Sequence, residues 1–496
     1  MSNSGNTYSK GLKGIAVFGS LQFYKILVSM ITTKISAIFL GPIGVGIYGL
    51  LTSTLTTIES ITSCGLGTSA IKEIANAKEE DCDSSQISRI YILLKKLSLA
   101  SGIIGMIFSI AASSWLSQMA FGNDDYAWCF ILLSITLIFS QLISAQGALL
   151  TGLGKLKSLY KLRVSVSTIT MIISVALYYL YGLNGIVPVI LLSSITYITV
   201  SSIITDKVPI KKISVSLKKS GLLIKILLKT GIALSLSYSL VAVSGYLIRI
   251  YIANVSDTGM VGLFVSSFAL VNTYLGLIFS SIESDFYPRL SSSSRNYDKF
   301  KSILREELEL VILMIVPLVV VLMVYSQPVL AVFYSDKFYA AKDLIVWSAL
   351  SMVVKVPGWI CSVGLISLGR NKNYMINQVV YTIYQLVLNV LGFKYAGLIG
   401  LGFSFFIGQA IYSLQTVSVM RKINIKFLDG GSTKLMALLM SGALISAILV
   451  TMLSGVIQYI VGTIMILVIL PICYHQLDNR IHIAKLINNK FHNRSR

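Results

Sequence analysis

Val45-Gly46-Ile47-Tyr48 follows the first long apolar segment of this chain, and the pattern returns as Val261-Gly262-Leu263-Phe264, 216 residues later. Two further pairs of connectors match at an offset of 215 residues, namely Leu153-Gly154-Lys155-Leu156-Lys157 with Leu368-Gly369-Arg370-Asn371-Lys372 and Gly182-Leu183-Asn184-Gly185-Ile186 with Gly397-Leu398-Ile399-Gly400-Leu401. Short Gly/Leu strings recur by chance in apolar chains, but three matches at nearly one offset indicate an internal repeat.

Around these connectors lie about fourteen apolar segments with the length that a bilayer span requires, about 20 residues. They cover roughly 14–40, 44–72, 90–112, 127–150, 160–181, 184–204, 230–252, 259–282, 307–326, 343–367, 373–392, 396–419, 434–453 and 456–474. Because only Ser454-Gly455 separates the last two, counts of twelve or thirteen stay open. The repeat offset covers six segments, and an even number keeps the orientation, so the halves are predicted to be parallel repeats.

The sequence therefore predicts an all-α polytopic membrane protein in which two six-helix bundles face each other across a central cavity, the plan of a transporter. The predicted parts are an N-terminal six-helix lobe at 1–206, a basic cytoplasmic linker at 207–229, a C-terminal six-helix lobe at 230–420, and a helix pair with a basic tail at 421–496. The first apolar segment continues into a full span without a small-residue cleavage site, so no removable signal peptide is expected.

The composition agrees with this plan. Of the 496 residues, 55% are apolar and only 12% are charged, which is about half the charge of a soluble domain, and the mean hydropathy is +0.79. These figures exclude a large soluble enzyme and a disordered chain. The net charge of +21 would suggest nucleic acid in a soluble protein, but in a membrane protein it reports which side the loops face.

The basic residues separate cleanly when alternate loops are assigned to opposite sides. Of the 41 Lys and Arg residues, 34 fall on the side of the two termini, 3 on the other side, and 4 inside spans. The positive-inside rule therefore predicts cytoplasmic termini. The basic linker is interpreted as a topology signal that contacts anionic membrane lipids, and no nucleic-acid partner is expected.

The sequence offers no enzyme or metal constellation. Its five cysteines are scattered, its three histidines all lie after residue 474, and it contains no P-loop. A metal site needs ligands that converge from fixed elements, so no metal and no resident cofactor are expected, and the chain is predicted not to be an enzyme.

The four basic residues inside spans are Lys25, Lys34, Arg249 and Lys355. An ionisable residue in mid-membrane usually faces a bundle interior or a wet cavity. Lys25 lies about 16 Å into the first span and shares a polar helical stripe with Gln22, Ser29, Thr32 and Ser36. Lys34 lies half a turn out of phase and is expected to snorkel to the outer interface.

The remaining spans supply further polar faces. Glu59 is the acid near mid-membrane in the second span, and it either pairs with a lysine or takes up a proton or sodium ion. Arg249 shares a face with Tyr238 and Gly245, Lys355 follows Ser348 and Ser351, and Asn272 precedes Gly276 and Ser280. At the cytoplasmic end of the span that contains Asn272, gate or interface ion pairs are predicted for three residues: Glu283, Asp285 and Arg289.

The central charges are therefore mostly cationic. A positively charged cavity in a low dielectric attracts an anion, and the guanidinium of Arg249 suits phosphate through forked hydrogen bonds. The predicted binding residues for a phosphate or pyrophosphate group are Lys25, Arg249, Lys355, Gln22 and Asn272, and the hydroxyl-bearing lining suits sugar hydroxyls.

The connectors also resemble a known family. Four stretches carry the resemblance: Gly41-Pro42-Ile43-Gly44-Val45-Gly46-Ile47-Tyr48-Gly49, Gly65-Leu66-Gly67-Thr68-Ser69-Ala70-Ile71-Lys72, Asp257-Thr258-Gly259-Met260-Val261-Gly262-Leu263-Phe264 and Tyr287-Pro288-Arg289-Leu290-Ser291. They look like the corresponding stretches of Wzx-type polysaccharide flippases, which belong to the multidrug/oligosaccharidyl-lipid/polysaccharide (MOP) exporter superfamily. The resemblance covers essentially the whole chain.

The resemblance implies a V-shaped pair of six-helix lobes that works by alternating access. The implied cargo is an O-antigen or similar oligosaccharide unit on undecaprenyl pyrophosphate, moved from the cytoplasmic to the periplasmic leaflet of a bacterial inner membrane and coupled to a cation gradient of H⁺ or Na⁺. Cavity cations of the family are thought to hold the pyrophosphate, in agreement with Lys25, Arg249 and Lys355. A polysaccharide polymerase and a chain-length regulator are the implied protein partners.

Three alternatives stay open. A peptidoglycan lipid-precursor flippase of the same superfamily would also have fourteen spans. A multidrug exporter should have an acidic cavity for its cationic cargo, which the lysines and arginine argue against. A polysaccharide polymerase or ligase needs a sizeable outer loop with catalytic residues, whereas the longest outer loop here, about 327–342, is short.

Overall fold

The computed structural model describes residues 4–79, 84–211, 213, 215 and 220–481, and within these ranges it describes the side chains of all residues except 4–23, 25, 79, 84, 233, 234, 284 and 481. The described residues form seventeen α-helices and contain no strand, so the all-α expectation is confirmed. The helices are α1 Ser4–Thr62, α2 Leu66–Glu79, α3 Ser84–Ala111, α4 Ser113–Phe121, α5 Ala127–Leu133, α6 Ile135–Gly152, α7 Leu156–Tyr181, α8 Ile186–Thr205, α9 Gly221–Val255, α10 Thr258–Leu270, α11 Gly276–Ser292, α12 Tyr297–Val324, α13 Ser326–Phe333, α14 Lys342–Ser367, α15 Asn371–Lys422, α16 Gly430–Met452 and α17 Gly455–Ile481.

Eleven helical segments of the described chain are long and apolar enough to cross a membrane. Three of them are interrupted where the sequence predicts a connector between spans. Gly41 breaks α1 with φ +62°, a 3₁₀ turn at Gly182–Gly185 separates α7 from α8, and Gly397 breaks α15 with φ +56°. Glycine adopts positive φ without steric cost. The chain is therefore a multi-pass membrane protein, and the number of fourteen crossings stays a prediction.

The second predicted span, 44–72, is wrong in its last third. The helix α1 ends at Thr62, and the chain turns through Cys64 and Gly65 at φ +46° and +63° before α2 begins. A Cβ on Gly65 would collide with the carbonyl oxygen of Gly231 in α9. Glycine is therefore required at position 65, where the turn packs closely against α9, a contact that hydropathy does not register.

Contacts divide the chain into two compact units. Unit 1 comprises 1–262 and 333–335, and unit 2 comprises 263–332 and 336–496. In unit 1, α9 packs against α1 and α2. The predicted lobes follow the order of the repeats rather than these contacts, and their boundaries stay a prediction.

The predicted linker is built into the core of unit 1. Val208, Val215 and Leu227 are buried in one apolar cluster with residues of α2, α3, α6 and α7. Lys96 of α3 donates a hydrogen bond to the carbonyl oxygen of Val215 at 2.8 Å. The last nine residues of the predicted linker belong to α9.

In unit 2, α14 is the central helix and packs against α12, α15 and α16. The C-terminal helices α16 and α17 both lie against α12. Asp429 caps the N-terminus of α16 by accepting a hydrogen bond from the Ser432 backbone N–H, which satisfies one of the four free donors of the first helical turn.

Candidate functional site

The central helix of unit 2 exposes a single stripe, and Lys355 lies in it. Between Leu344 and Ser367 the described side chains are buried apart from five half-exposed ones: Trp347, Val354, Lys355, Trp359 and Ile366. Their spacing places most of them on one helical face. Lys355 is about 18–20 Å from either end of α14, so the predicted mid-span position of this lysine agrees with the helix bounds.

The ammonium group of Lys355 lies beside an aromatic ring rather than a counter-ion. Its Nζ is 5.2 Å from the centroid of the Phe279 ring in α11, within the range of a cation–π interaction. The carboxylate of Glu283, one turn further along α11, interacts with it electrostatically. Among the described side chains no carboxylate forms an ion pair with Lys355. Its charge therefore remains available to an anionic ligand.

The facing surface comes from α10, α11 and the π-helical turn Val271–Leu275 between them. Such single π-turns often occur at functional sites. Asn272 lies in this turn, and its Nδ2 donates to the carbonyl oxygen of Phe268 at 3.0 Å. Gly276, one turn later, has no atom within 4 Å of the place where a Cβ would stand. The missing side chain leaves open space between Asn272 and Phe279.

Trp359 is half-exposed on the same stripe of α14 and was not singled out from the sequence. Its ring packs edge-on against Phe279, with centroids 5.1 Å apart at 72°, and against Phe286 at 5.9 Å. Its spacing of one helical turn from Lys355 is the signal that could have identified it. Lys355, Trp359, Phe279, Glu283 and Gly276 are called the Lys355 cluster below.

In unit 1, the predicted Arg249 is half-buried near the end of α9. Its Nη1 donates to the carbonyl oxygen of Gly245 at 2.8 Å. A Cβ on Gly245 would lie 3.3 Å from that nitrogen, so the glycine gives the guanidinium room to fold back over its own helix.

Glu59 is half-buried in the same unit and meets neutral polar groups. The Ser140 hydroxyl hydrogen-bonds its carboxylate, and Gln141 Nε2 donates to its backbone carbonyl at 3.2 Å. Gln22 and Lys25, the predicted binding residues of the first span, lie outside the described side chains.

The predicted gate residues are only partly brought together. Arg289 Nε pairs with Asp285 at 2.7 Å, and its Nη2 pairs with Glu307 of α12, also at 2.7 Å. Glu283 belongs to the Lys355 cluster instead. Glu307 was missed, although it is a carboxylate at the helical spacing of the buried Phe300, Ile303, Leu304 and Val311. The role of these pairs as a gate stays a prediction.

Known proteins resemble this chain over more than half of its length. A family model described as polysaccharide biosynthesis protein matches residues 35–343, more than half of the chain. A Shigella flexneri protein named as an O-antigen transporter is 25% identical over 303 residues, which cover 60% of this chain and 71% of that protein.

Two solved structures share the fold at low sequence identity. A multidrug resistance MATE family transporter of the MOP superfamily, in its inward-facing conformation, has a TM-score of 0.68 and 18% identity, over 81% of this chain and 94% of that one. The lipid II flippase MurJ, in an inward closed conformation, has a TM-score of 0.67 and 16% identity, over 93% of this chain and 98% of that one.

These findings confirm the resemblance seen in the glycine-rich connectors. The family model includes the connectors that carry it, and the two structures show that the fold is that of MOP transporters. The chain therefore belongs to the polysaccharide biosynthesis protein family, as a multi-pass membrane protein that shares the fold of these transporters.

Proposed function

We propose that the protein carries an undecaprenyl-pyrophosphate-linked oligosaccharide, an O-antigen or similar surface polysaccharide unit, from the cytoplasmic to the periplasmic leaflet by alternating access. The residues predicted from the sequence to bind the pyrophosphate keep that role in this proposal: Lys25, Arg249, Lys355, Gln22 and Asn272. The family match and the O-antigen transporter relative support a polysaccharide-related cargo.

The single observation that carries the proposal is the position of Lys355. It lies at the middle of the apolar helix α14, where a charge costs about 2.5–3.5 kcal/mol, and its described neighbour is an aromatic ring rather than a paired carboxylate. A structural lysine would be expected to have a buried counter-ion. A mid-helix lysine without a paired carboxylate suits a ligand that brings its own negative charge.

We also propose that the cargo and a cation cross the membrane in opposite directions, and that Glu59 binds the cation. The carboxylate accepts a hydrogen bond from Ser140 and meets no described cation, so it can bind H⁺ or Na⁺ in one conformation and release it in the other. The cation-gradient coupling of the family resemblance is consistent with this role.

The loop charges support the proposed cellular setting. The 34-to-3 split of basic residues supports cytoplasmic termini in a bacterial inner membrane. A flipped oligosaccharide unit would be handed to a polysaccharide polymerase and its chain-length regulator, which are therefore the proposed partners.

The test is transport in proteoliposomes. A fluorescent oligosaccharide on undecaprenyl pyrophosphate is placed in the outer leaflet of the proteoliposomes. The fraction of this lipid that an external quencher can still reach is then measured over time. Lys355→Gln should slow flipping at least tenfold. Lys394→Gln is the matched control, because Lys394 also lies over an aromatic ring, Tyr395 at 5.9 Å, but is exposed at the break of α15. Flipping by Lys355→Gln within twofold of wild type would reject the proposal.

A peptidoglycan lipid precursor is the second candidate cargo, because the structure of the lipid II flippase MurJ matches 93% of this chain. It shares the pyrophosphate carrier, so Lys355 would serve both cargoes. Offering both lipids to the same proteoliposomes decides between them, and the polysaccharide proposal expects preference for the non-peptidoglycan oligosaccharide.

A further inference from the structure

Trp359 lies within a membrane-length helix rather than at its end. Tryptophan is enriched at membrane–water interfaces because its indole N–H seeks polar partners. Trp359 is instead one helical turn from the mid-helix Lys355 and about 12 Å from the end of α14. Within the described part of the chain, no hydrogen bond of the indole N–H is found. The side chain is half-exposed on a helix whose other positions are mostly buried.

The indole is held rigidly while one side of it remains free. Phe279 and Phe286 support it from α11, and both are almost completely buried, at 5% and 0% exposure. The open space over Gly276 lies on the same α11 face as Phe279, one turn earlier. A half-exposed aromatic ring that packs on two buried rings has the form of a platform for a flat ligand.

The spacing of Lys355 and Trp359 matches the chemistry of a glycosyl pyrophosphate. Residues four apart on a helix have Cβ atoms about 5–6 Å apart. In a lipid-linked oligosaccharide the first sugar is bonded directly to the distal phosphate, so a phosphate on Lys355 places that sugar over the next helical turn. The C–H face of a pyranose carries positive hydrogens, which the negative face of an indole attracts.

We propose that Trp359 is the binding platform for the first sugar ring of the cargo, next to the phosphate on Lys355. The pair then recognises the pyrophosphate–sugar junction and tolerates different pyranoses, since an aromatic face contacts C–H groups and not particular hydroxyls. This inference rests on the proposed function and adds to it a binding site for a sugar.

The test compares two lipids on purified full-length protein in detergent, by equilibrium binding measured with native mass spectrometry. One probe is undecaprenyl pyrophosphate, and the other is the same lipid bearing a single N-acetylglucosamine. Wild type should bind the glycosylated lipid about tenfold more tightly, the size of one good aromatic contact. Trp359→Leu should lose this preference and keep its affinity for the sugar-free lipid, whereas Lys355→Gln should lose affinity for both.

Trp347→Leu is the matched control. Trp347 is half-exposed on the same helix and packs against Phe403 and Phe406 at 5.0 and 5.9 Å, but it is two turns before Lys355, so its loss should leave the preference intact. Trp359→Phe reports on folding, because it keeps an aromatic face and should retain part of the preference.

The outcomes separate the two proposals. Equal weakening of both lipids by Trp359→Leu, or no weakening, overturns the sugar platform and leaves the flippase proposal standing. Equal binding of the two lipids by wild type also overturns the platform alone. Failure of wild type to bind either pyrophosphate lipid overturns the proposed cargo and this inference with it.

Discussion

Gly46 and Gly262 hold equivalent places in the internal repeat, and within unit 1 their backbones meet reciprocally. A Cβ on Gly46 would collide with the carbonyl oxygen of Thr258, four residues before Gly262. A Cβ on Gly262 would collide with the carbonyl oxygen of Pro42, four residues before Gly46. The repeat found in the sequence is therefore a two-fold-like helix crossing in the structure, and glycine is required on both sides of it.

Alanine at either glycine of this crossing should destabilise the protein. In an open helical position Gly→Ala stabilises by up to about 1 kcal/mol, but here the added methyl group overlaps a backbone carbonyl. Gly46→Ala and Gly262→Ala are expected to lower the apparent Tm of detergent-purified protein. Gly147→Ala, a control in α6 with no atom within 4 Å of its Cβ, should leave the Tm unchanged or raise it. An unchanged Tm in the two crossing variants would contradict the close approach.

The ion pairs of Arg289 should be unequal in strength. Glu307 is almost fully buried and Asp285 is largely exposed, with side-chain exposures of 5% and 73%. Glu307→Gln leaves Arg289 with a solvent-screened partner and should cost about 1–2 kcal/mol, below the value for a fully buried pair because Arg289 itself is half-exposed. Asp285→Asn should cost under about 0.5 kcal/mol. The Tm of both variants tests whether the two ion pairs differ in strength. Equal decreases in Tm would contradict the expected difference.

The first turn of α16 should weaken in acid. The pKa of Asp429 lies below its usual value because the Ser432 hydroxyl and backbone N–H donate to the carboxylate, with a further contribution from Arg305. A carboxyl whose pKa falls on folding adds stability above its unfolded pKa, about 3.9, and loses that contribution as the pH drops through the lower folded value.

Hydrogen exchange checks this pH dependence. The amides of residues 430–433 should be better protected in wild type than in Asp429→Asn at pH 7, since asparagine keeps the cap but loses the charge that pairs with Arg305 at 3.0 Å. The two proteins should converge once the pH is below the folded pKa of Asp429. A difference that persists at low pH would show that the charge is not responsible.

Filling the space over Gly276 should stop transport without unfolding the protein. Nothing lies within 4 Å of a Cβ at this position, so a side chain can start there without a clash, and we expect Gly276→Trp to fill the space next to Phe279. We expect at least a tenfold loss of flipping with an unchanged Tm, and near-normal flipping by Gly276→Ala. Normal flipping by the tryptophan variant would show that cargo passes elsewhere.

Glu59→Gln should uncouple transport from the cation gradient. The amide preserves the hydrogen bond to Ser140 but cannot bind a proton or neutralise a sodium ion. Wild-type flipping should accelerate when a proton or sodium gradient is imposed on proteoliposomes, and the variant should run at one rate with or without either gradient. A variant that still responds to the gradient would remove Glu59 from the coupling mechanism.

The sequence was sufficient for features that depend on composition along the chain. The all-α fold, the breaks at Gly41 and Gly397, and the mid-helix position of Lys355 follow from hydropathy, glycine pairs and residue counting. The partner of Arg289, the platform at Trp359 and the turn at Cys64-Gly65 depend on how helices are rotated against each other. In a membrane protein, the lipid-facing and core-facing sides of a helix are both apolar. The pattern of apolar residues therefore does not predict which side of a helix packs against its neighbours.

The burial of Val208, Val215 and Leu227 in the core of unit 1 determines where the gene can be divided. Two separately expressed halves should reassemble if the first ends after Leu227, because Val208, Val215 and Leu227 then stay with the apolar cluster that contains them. A cut ahead of Val208 would remove these side chains from the first half. The apolar residues of α2 and α3 in the same cluster would then be exposed. The segment between the repeats thus belongs, by its folding, to the repeat that precedes it.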